Sequence, residues 1–111
     1  MQSILLNQEA LQKAGIKPFG FLKAIAELPY VEAIYLFGSR ARGDFREHSD
    51  IDLAVKYSDD EKWHRKVVKA IISEYADTFL KIDLVDYNTK KPGKKLFEFI
   101  DKEKVTLYAK P

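Results

Sequence analysis

The chain has 111 residues, the size of one domain, with 19 Lys+Arg against 17 Asp+Glu and a net charge of +2. So mild a balance does not mark a nucleic-acid binder, whose basic excess gathers on one face. Hydrophobic residues at 46% and aromatics at 13% exclude intrinsic disorder, and the absence of cysteine excludes disulfides and thiolate metal sites.

No repeat, low-complexity tract or linker interrupts the sequence, so residues 1–111 are expected to form a single domain. The apolar runs are too short for a bilayer span, and the start lacks the pattern of a signal peptide. No membrane association and a cytoplasmic location are therefore expected. Asn7 can cap a helix running to about Ala14, which Gly15 stops. Pro18 suits the first turn of a second helix with Phe19, Leu22, Ile25 and Ala26 on one face, and Pro29 ends it. Val31–Phe37, β-branched and aromatic, reads as a strand running into Gly38. Ser39–Ser49 is polar and reads as a loop with room for one helical turn.

Ile51–Tyr57 alternates Ile51, Leu53, Val55 and Tyr57 with Asp52, Ala54 and Lys56, the pattern of a strand with one packed face. A helix capped by Ser58 or Asp59 is expected to reach Thr78, with Trp63, Val67, Ala70, Ile71 and Tyr75 at helical spacing. Leu80–Tyr87 reads as a third strand, Pro92 and Gly93 as the opening of a last helix carrying Leu96, Phe97 and Ile100, and Val105–Ala109 as a short edge strand. The expected class is α/β: a mixed sheet of three to four strands with helices packed on it.

One segment stands apart. Gly38-Ser39 follows a strand directly, and ten residues later Asp50-Ile51-Asp52 begins the next. Residues two apart in a strand face the same way, so Asp50 and Asp52 present their carboxylates together. A hairpin connection would make the two strands antiparallel and lay Gly38 beside Asp50. A right-handed crossover through the long helix would return the third strand parallel, bringing Asp83 to the same end. Two carboxylates about 4 Å apart repel by roughly 4 kcal/mol at an effective dielectric near 20. Cations must offset that, and oxygen-only ligation suits Mg²⁺, particularly when substrate phosphates complete its shell. Gly38 allows close approach of a phosphate, Ser39 adds donors, and Arg40 and Arg42 can pair with phosphate oxygens.

Gly38-Ser39-x10-Asp50-x-Asp52 resembles the signature of the polymerase-β-type nucleotidyltransferase superfamily, and Lys81–Asp86 resembles the strand that supplies its third carboxylate. Shortness narrows the resemblance to the minimal nucleotidyltransferases, the MNT antitoxins of HEPN/MNT toxin–antitoxin pairs. The resemblance implies a polymerase-β-like palm in which Gly38, Ser39, Arg40 and Arg42 hold ATP while Asp50, Asp52 and Asp83 are catalytic and bind two Mg²⁺ ions. It implies transfer of AMP to a tyrosine of a partner HEPN toxin, in a hetero-oligomer and without direct nucleic-acid binding. Other branches of the superfamily use a small molecule or an RNA end as acceptor. A chain that only binds its toxin is a third reading, against which the full carboxylate triad argues.

Blander readings stand beside these. Asp50 and Asp52 could line a solvated strand edge, Ser39 could serve a turn, and Arg40 and Arg42 could be solvated. Asp86 rivals Asp83 but, three positions on, points to the opposite face. His48 and His64 read as surface residues, Trp63 as core packing or a partner contact, and the Lys90–Lys95 cluster as a solvated turn.

Overall fold

The computed structural model describes residues 5–17, 20–75, 79–89 and 94–111. Asn7 caps α1 (Gln8–Lys13) as expected: its side-chain oxygen accepts from the Ala10 N–H at 3.1 Å. The same side chain donates to the Thr106 carbonyl at 3.1 Å, tying α1 to the last strand. Helix α2 (Gly20–Ala26) buries Phe21, Leu22, Ile25 and Ala26. Pro18 and Phe19, expected in its first turn, lie outside the described residues, as do residues 76–78 and the expected helix openers Pro92 and Gly93.

Strands β1 (Val31–Phe37), β2 (Ile51–Tyr57), β3 (Ile82–Asp86) and β4 (Val105–Ala109) form one sheet in the order β3-β2-β1-β4. β1 pairs antiparallel with β2 and β4, and β2 pairs parallel with β3. The mixed sheet therefore has four strands, with the hairpin and the parallel return that the sequence implies. The larger core joins α1 and α2 to Ile34, Leu36, Ile51, Leu53 and Val55 of the sheet. On the opposite face Phe97 and Ile100 of α5 (Lys95–Glu103) pack against Phe37 and Ala54. Helices thus cover both faces, which is why β2 is apolar almost throughout and interrupted by Asp52. No described helix is long and apolar enough to cross a membrane.

Two expectations about the crossover helix need correction. α4 (Lys62–Tyr75) begins later than Ser58 or Asp59, because Asp59 is spent on a turn in which it accepts from the Glu61 N–H at 3.0 Å. It is also rotated. Val68 is the buried residue and Ile71 and Ile72 pack against the core, whereas Trp63 is 68% exposed and Tyr75 63% exposed. Trp63 is therefore not core packing.

β3 is shorter than the expected Leu80–Tyr87 because Asp86 turns the chain. It accepts from the Asn88 N–H at 2.9 Å and starts a 3₁₀ turn, Tyr87–Thr89. Its other oxygen accepts from Arg65 Nε at 2.9 Å. Arg65 also reaches Asp59 at 3.1 Å and lies 3.9 Å above the Tyr57 ring, so one guanidinium fastens α4 to the ends of β2 and β3. His64 stacks on Tyr30 with ring centroids 3.6 Å apart, and its Nδ1 sits 2.7 Å from Asp59. Because Arg65 is only 14% exposed, removing a carboxylate strands much of its charge. Asp86→Ala should lower stability by about 1–3 kcal/mol, read as a lower urea midpoint. An unchanged midpoint would show that Asp59 alone suffices to hold Arg65.

Candidate active site

The β1–β2 register sets Phe37 opposite Asp52, and the parallel β2–β3 register sets Asp83 beside Asp52. Asp52 and Asp83 therefore share the sheet face that α5 covers farther along, while Asp86 points away to Arg65. The pairing continues to the strand starts, where the Ile51 N–H donates to the Lys81 carbonyl at 2.9 Å. Asp50 stands just ahead, half-buried.

Gly38 closes the other side. It was expected beside Asp50; the register instead brings it against Asp52. Gly38 has φ +76, a conformation that side chains disfavour. A Cβ there would collide with Asp52 Oδ2 and come within 3.1 Å of its Cγ. The glycine is required twice over, by its dihedral and by the carboxylate it makes room for. Ser39 opens the four-residue helix α3 (Ser39–Arg42), and its carbonyl accepts from the Gly43 N–H at 2.9 Å.

The electrostatics follow from this crowding. Burial first, then the charges of Asp83 and Asp50 and a hydrogen bond shared with Asp83, push the Asp52 carboxyl up to about 6; Arg42 pulls it partly back. Asp50 and Asp83 are therefore both within electrostatic reach of Asp52. Among the described residues no three His, Cys, Asp or Glu side chains are gathered as a metal-ligating set. Asp83 leans toward Lys81, whose Nζ is 3.5 Å from Oδ1. The donor set is oxygen-only, part-desolvated and short of positive charge, which is the chemistry a hard divalent cation fits.

Arg40 is a correction. It was expected on a phosphate, but its side chain is buried, at 4% exposed. Nε donates to the Ser49 carbonyl at 3.1 Å, Nη1 to Ala14 at 2.8 Å and Nη2 to Glu47 at 3.1 Å, with the Phe45 ring 4.7 Å beneath. Every nitrogen is committed to backbone, so Arg40 shapes the connection between β1 and β2 and fastens it to the end of α1. Arg42 remains exposed at the rim, held by Asp44 at 3.3 Å and by Glu103 of α5 at 3.0 Å.

A network joining Tyr87 to α5 has little signature in the sequence. Tyr87 donates to Asp101 at 2.5 Å, and Lys104 reaches both at 3.2 Å while lying 5.2 Å from the Tyr35 ring centroid. The i,i+3 spacing of Asp101 and Lys104 was the available signal.

Residues 22–111 match the family described as "Polymerase beta, Nucleotidyltransferase". The chain belongs to that family. It is 32% identical over 100 residues to Protein adenylyltransferase MntA of Aphanizomenon flos-aquae (strain 2012/KM1/D3), a match covering 81% of this chain and 65% of that protein. The chain thus spans just under two thirds of that curated relative. A crystal structure of a toxin–antitoxin with AMP-PNP superimposes with a TM-score of 0.58 at 25% identity, covering 95% of this chain and 75% of that one. A tri-AMPylated Shewanella oneidensis HEPN toxin in complex with MNT antitoxin matches with a TM-score of 0.53 at 23% identity, covering 93% and 72% of the two chains; at that identity the likeness is one of fold.

Two measurements probe the cluster. Gly38→Ala and Gly43→Ala both force a side chain into positive φ, but a Cβ at Gly43 meets nothing within 4 Å. Gly43 lies in the left-handed helical region, where alanine should cost about 1–2 kcal/mol, and Gly38, at ψ −158, lies in a region essentially confined to glycine, where the cost should be about 1–3 kcal/mol. Only Gly38→Ala should also displace Asp52, so equal losses in denaturant titrations would mean that the Gly38–Asp52 contact is soft.

The second probe is pH. A carboxyl raised in the folded state penalises folding as pH climbs from the unfolded value of 3.8 through about 6, and the full penalty persists above. Asp52→Asn should therefore stabilise the metal-free chain at pH 7.5, by on the order of 1 kcal/mol after discounting for solvent screening. The gain should vanish below pH 4. Destabilisation at pH 7.5 would show that the Asp52 charge supports the fold.

Proposed function

We propose that residues 1–111 form a single nucleotidyltransferase domain that transfers AMP from ATP to a tyrosine of a partner HEPN toxin in the cytoplasm. The observation that carries this reading is the in-register pairing of Asp52 with Asp83 beside Gly38. Family membership and the likeness to a protein adenylyltransferase and to a toxin–antitoxin with AMP-PNP support it. Asp50, Asp52 and Asp83 would hold two Mg²⁺ ions, which when bound would offset the negative charge of the triphosphate.

Gly38 leaves room for the triphosphate where a side chain would obstruct it, and Ser39 contributes donors. Arg42, exposed beside the carboxylates, offers the phosphate contact that Arg40 cannot. The acceptor hydroxyl attacks the α-phosphorus, a new P–O bond forms, and the bond to the β-phosphate breaks to release pyrophosphate. Asp83 takes the hydroxyl proton. The partner completes the site by supplying the acceptor.

The test is incubation with Mg²⁺, labelled ATP and the HEPN protein encoded beside it. Label should appear on the partner and fall about 10²-fold or more for Asp83→Asn, while Asp86→Asn stays within a few-fold of wild type. No transfer with any of the four NTPs would overturn the enzyme reading. Loss with Asp86 in place of Asp83 would overturn the site assignment.

A further inference from the structure

α4 turns an apolar stripe outward. Trp63, Val67, Ala70, Ile71 and Tyr75 line an open groove of about 440 Å³, and Phe79 beyond its end is fully exposed. The spacing is that of one helix face, of which the core takes the edge: Val68 is the side chain α4 buries, and Ile71 packs partly against the core. Aromatic side chains at such exposure leave apolar area in water that a partner would cover.

The flank of this stripe is mainly cationic, with Asp60 and Asp86 also in its lining. Lys62, Lys66 and Lys69 line an adjoining cavity of about 420 Å³, and none of them makes an ion pair with a described residue. Arg65 in the same cavity is already neutralised by Asp59 and Asp86. Lys66 belongs to both the groove and the cavity, so the two form one surface with an apolar half and a cationic half.

Topology fixes its direction. α4 is the crossover between the parallel strands β2 and β3, so its C-terminal end at Tyr75 lies toward the start of β3, where Asp83 stands. The lysines lie toward the other end, near Asn88 and Thr89.

We infer that the outer face of α4 docks an amphipathic helix of the partner protein, one whose apolar stripe is bordered by carboxylates that meet Lys62, Lys66 and Lys69. A helix laid along the groove runs toward the end of the sheet where β3 starts, on the face opposite Asp52 and Asp83, so the partner presents its acceptor by reaching round that end. A second copy of this chain is the poorer fit. Of the acidic side chains lining groove and cavity, Asp86 is taken by Arg65, which leaves Glu74 and Asp60 against three lysines. The inference rests on the reading that a HEPN partner supplies the acceptor.

Trp63 is the sole tryptophan in the chain and so a built-in reporter. Mixing with the neighbouring HEPN protein, without ATP, should shift its emission to shorter wavelength as the indole leaves water. For an unlabelled reporter the HEPN protein should carry its own tryptophans replaced by phenylalanine. Trp63→Ala and, separately, the Lys62→Glu/Lys66→Glu/Lys69→Glu triple variant should each weaken binding by about tenfold or more in calorimetry, with melting temperature and ATP affinity retained. Asp52→Asn should lose transfer yet keep both the binding and the emission shift. This separates failure of the docking surface from failure of the chemistry. Wild-type affinity in both surface variants, an unshifted emission, or no binding by the wild type would overturn the inference. Sedimentation showing a dimer of this chain that Trp63→Ala dissolves would overturn it as well, assigning the face to self-association.

Discussion

The structure depends on holding like charges together. Asp52 and Asp83 are neighbours because their strands are parallel and in register, and Asp50 lies one pleat away. Nothing in the carboxylates themselves favours this, and their mutual repulsion appears in the raised Asp52 carboxyl. What enforces it is the opposite face of the same strands. Ile51, Leu53 and Val55 are fully buried against the helices, so a slip of one residue would turn the carboxylates into that core. Register is thus set by apolar burial on one side, and the chemistry on the other side inherits it.

Two arginines show how a loop and a helix are made stiff enough to serve such a site. Arg40 gathers three carbonyls from two separate parts of the chain, and Arg65 gathers two carboxylates and a phenol ring. Both work through the planar fork of the guanidinium, which satisfies several acceptors with one rigid group. Lysine in either place would supply charge without the geometry. A further arginine, Arg42, keeps its exposure and its proximity to Asp52, and its anchor to Glu103 links α5 to the rim of the site.

Much of this is legible in the sequence. β1, β2 and β4 have the limits that β-branched and aromatic alternation assigns them, and the choice of Asp83 over Asp86 follows from the period of a strand. The Asn7 cap is equally local. What escapes is whatever depends on distant partners. The commitment of Arg40 requires knowing that the Ala14 carbonyl, 26 positions away, faces it. The late start of α4 reflects competition for Asp59 from Glu61, His64 and Arg65. Its rotation escapes because Trp63 carries the strongest hydrophobic signal on the helix, while the core chose the smaller Val68 and the two isoleucines that follow.

The place of β4 in the sheet has a kinetic meaning. β1 lies between β2 and β4, so Ala33–Leu36 finds one neighbour within a short hairpin and the other only at residues 105–109. The Asn7 amide likewise donates to the Leu107 carbonyl at 2.8 Å, closing nearly the whole chain into one loop. Contacts of such separation form late, because their loop-closure entropy is met before they return anything. During synthesis the hairpin can assemble while β1 still shows an unpaired edge. The strand that covers it leaves the ribosome much later, and until then a growing chain must keep that edge from other chains.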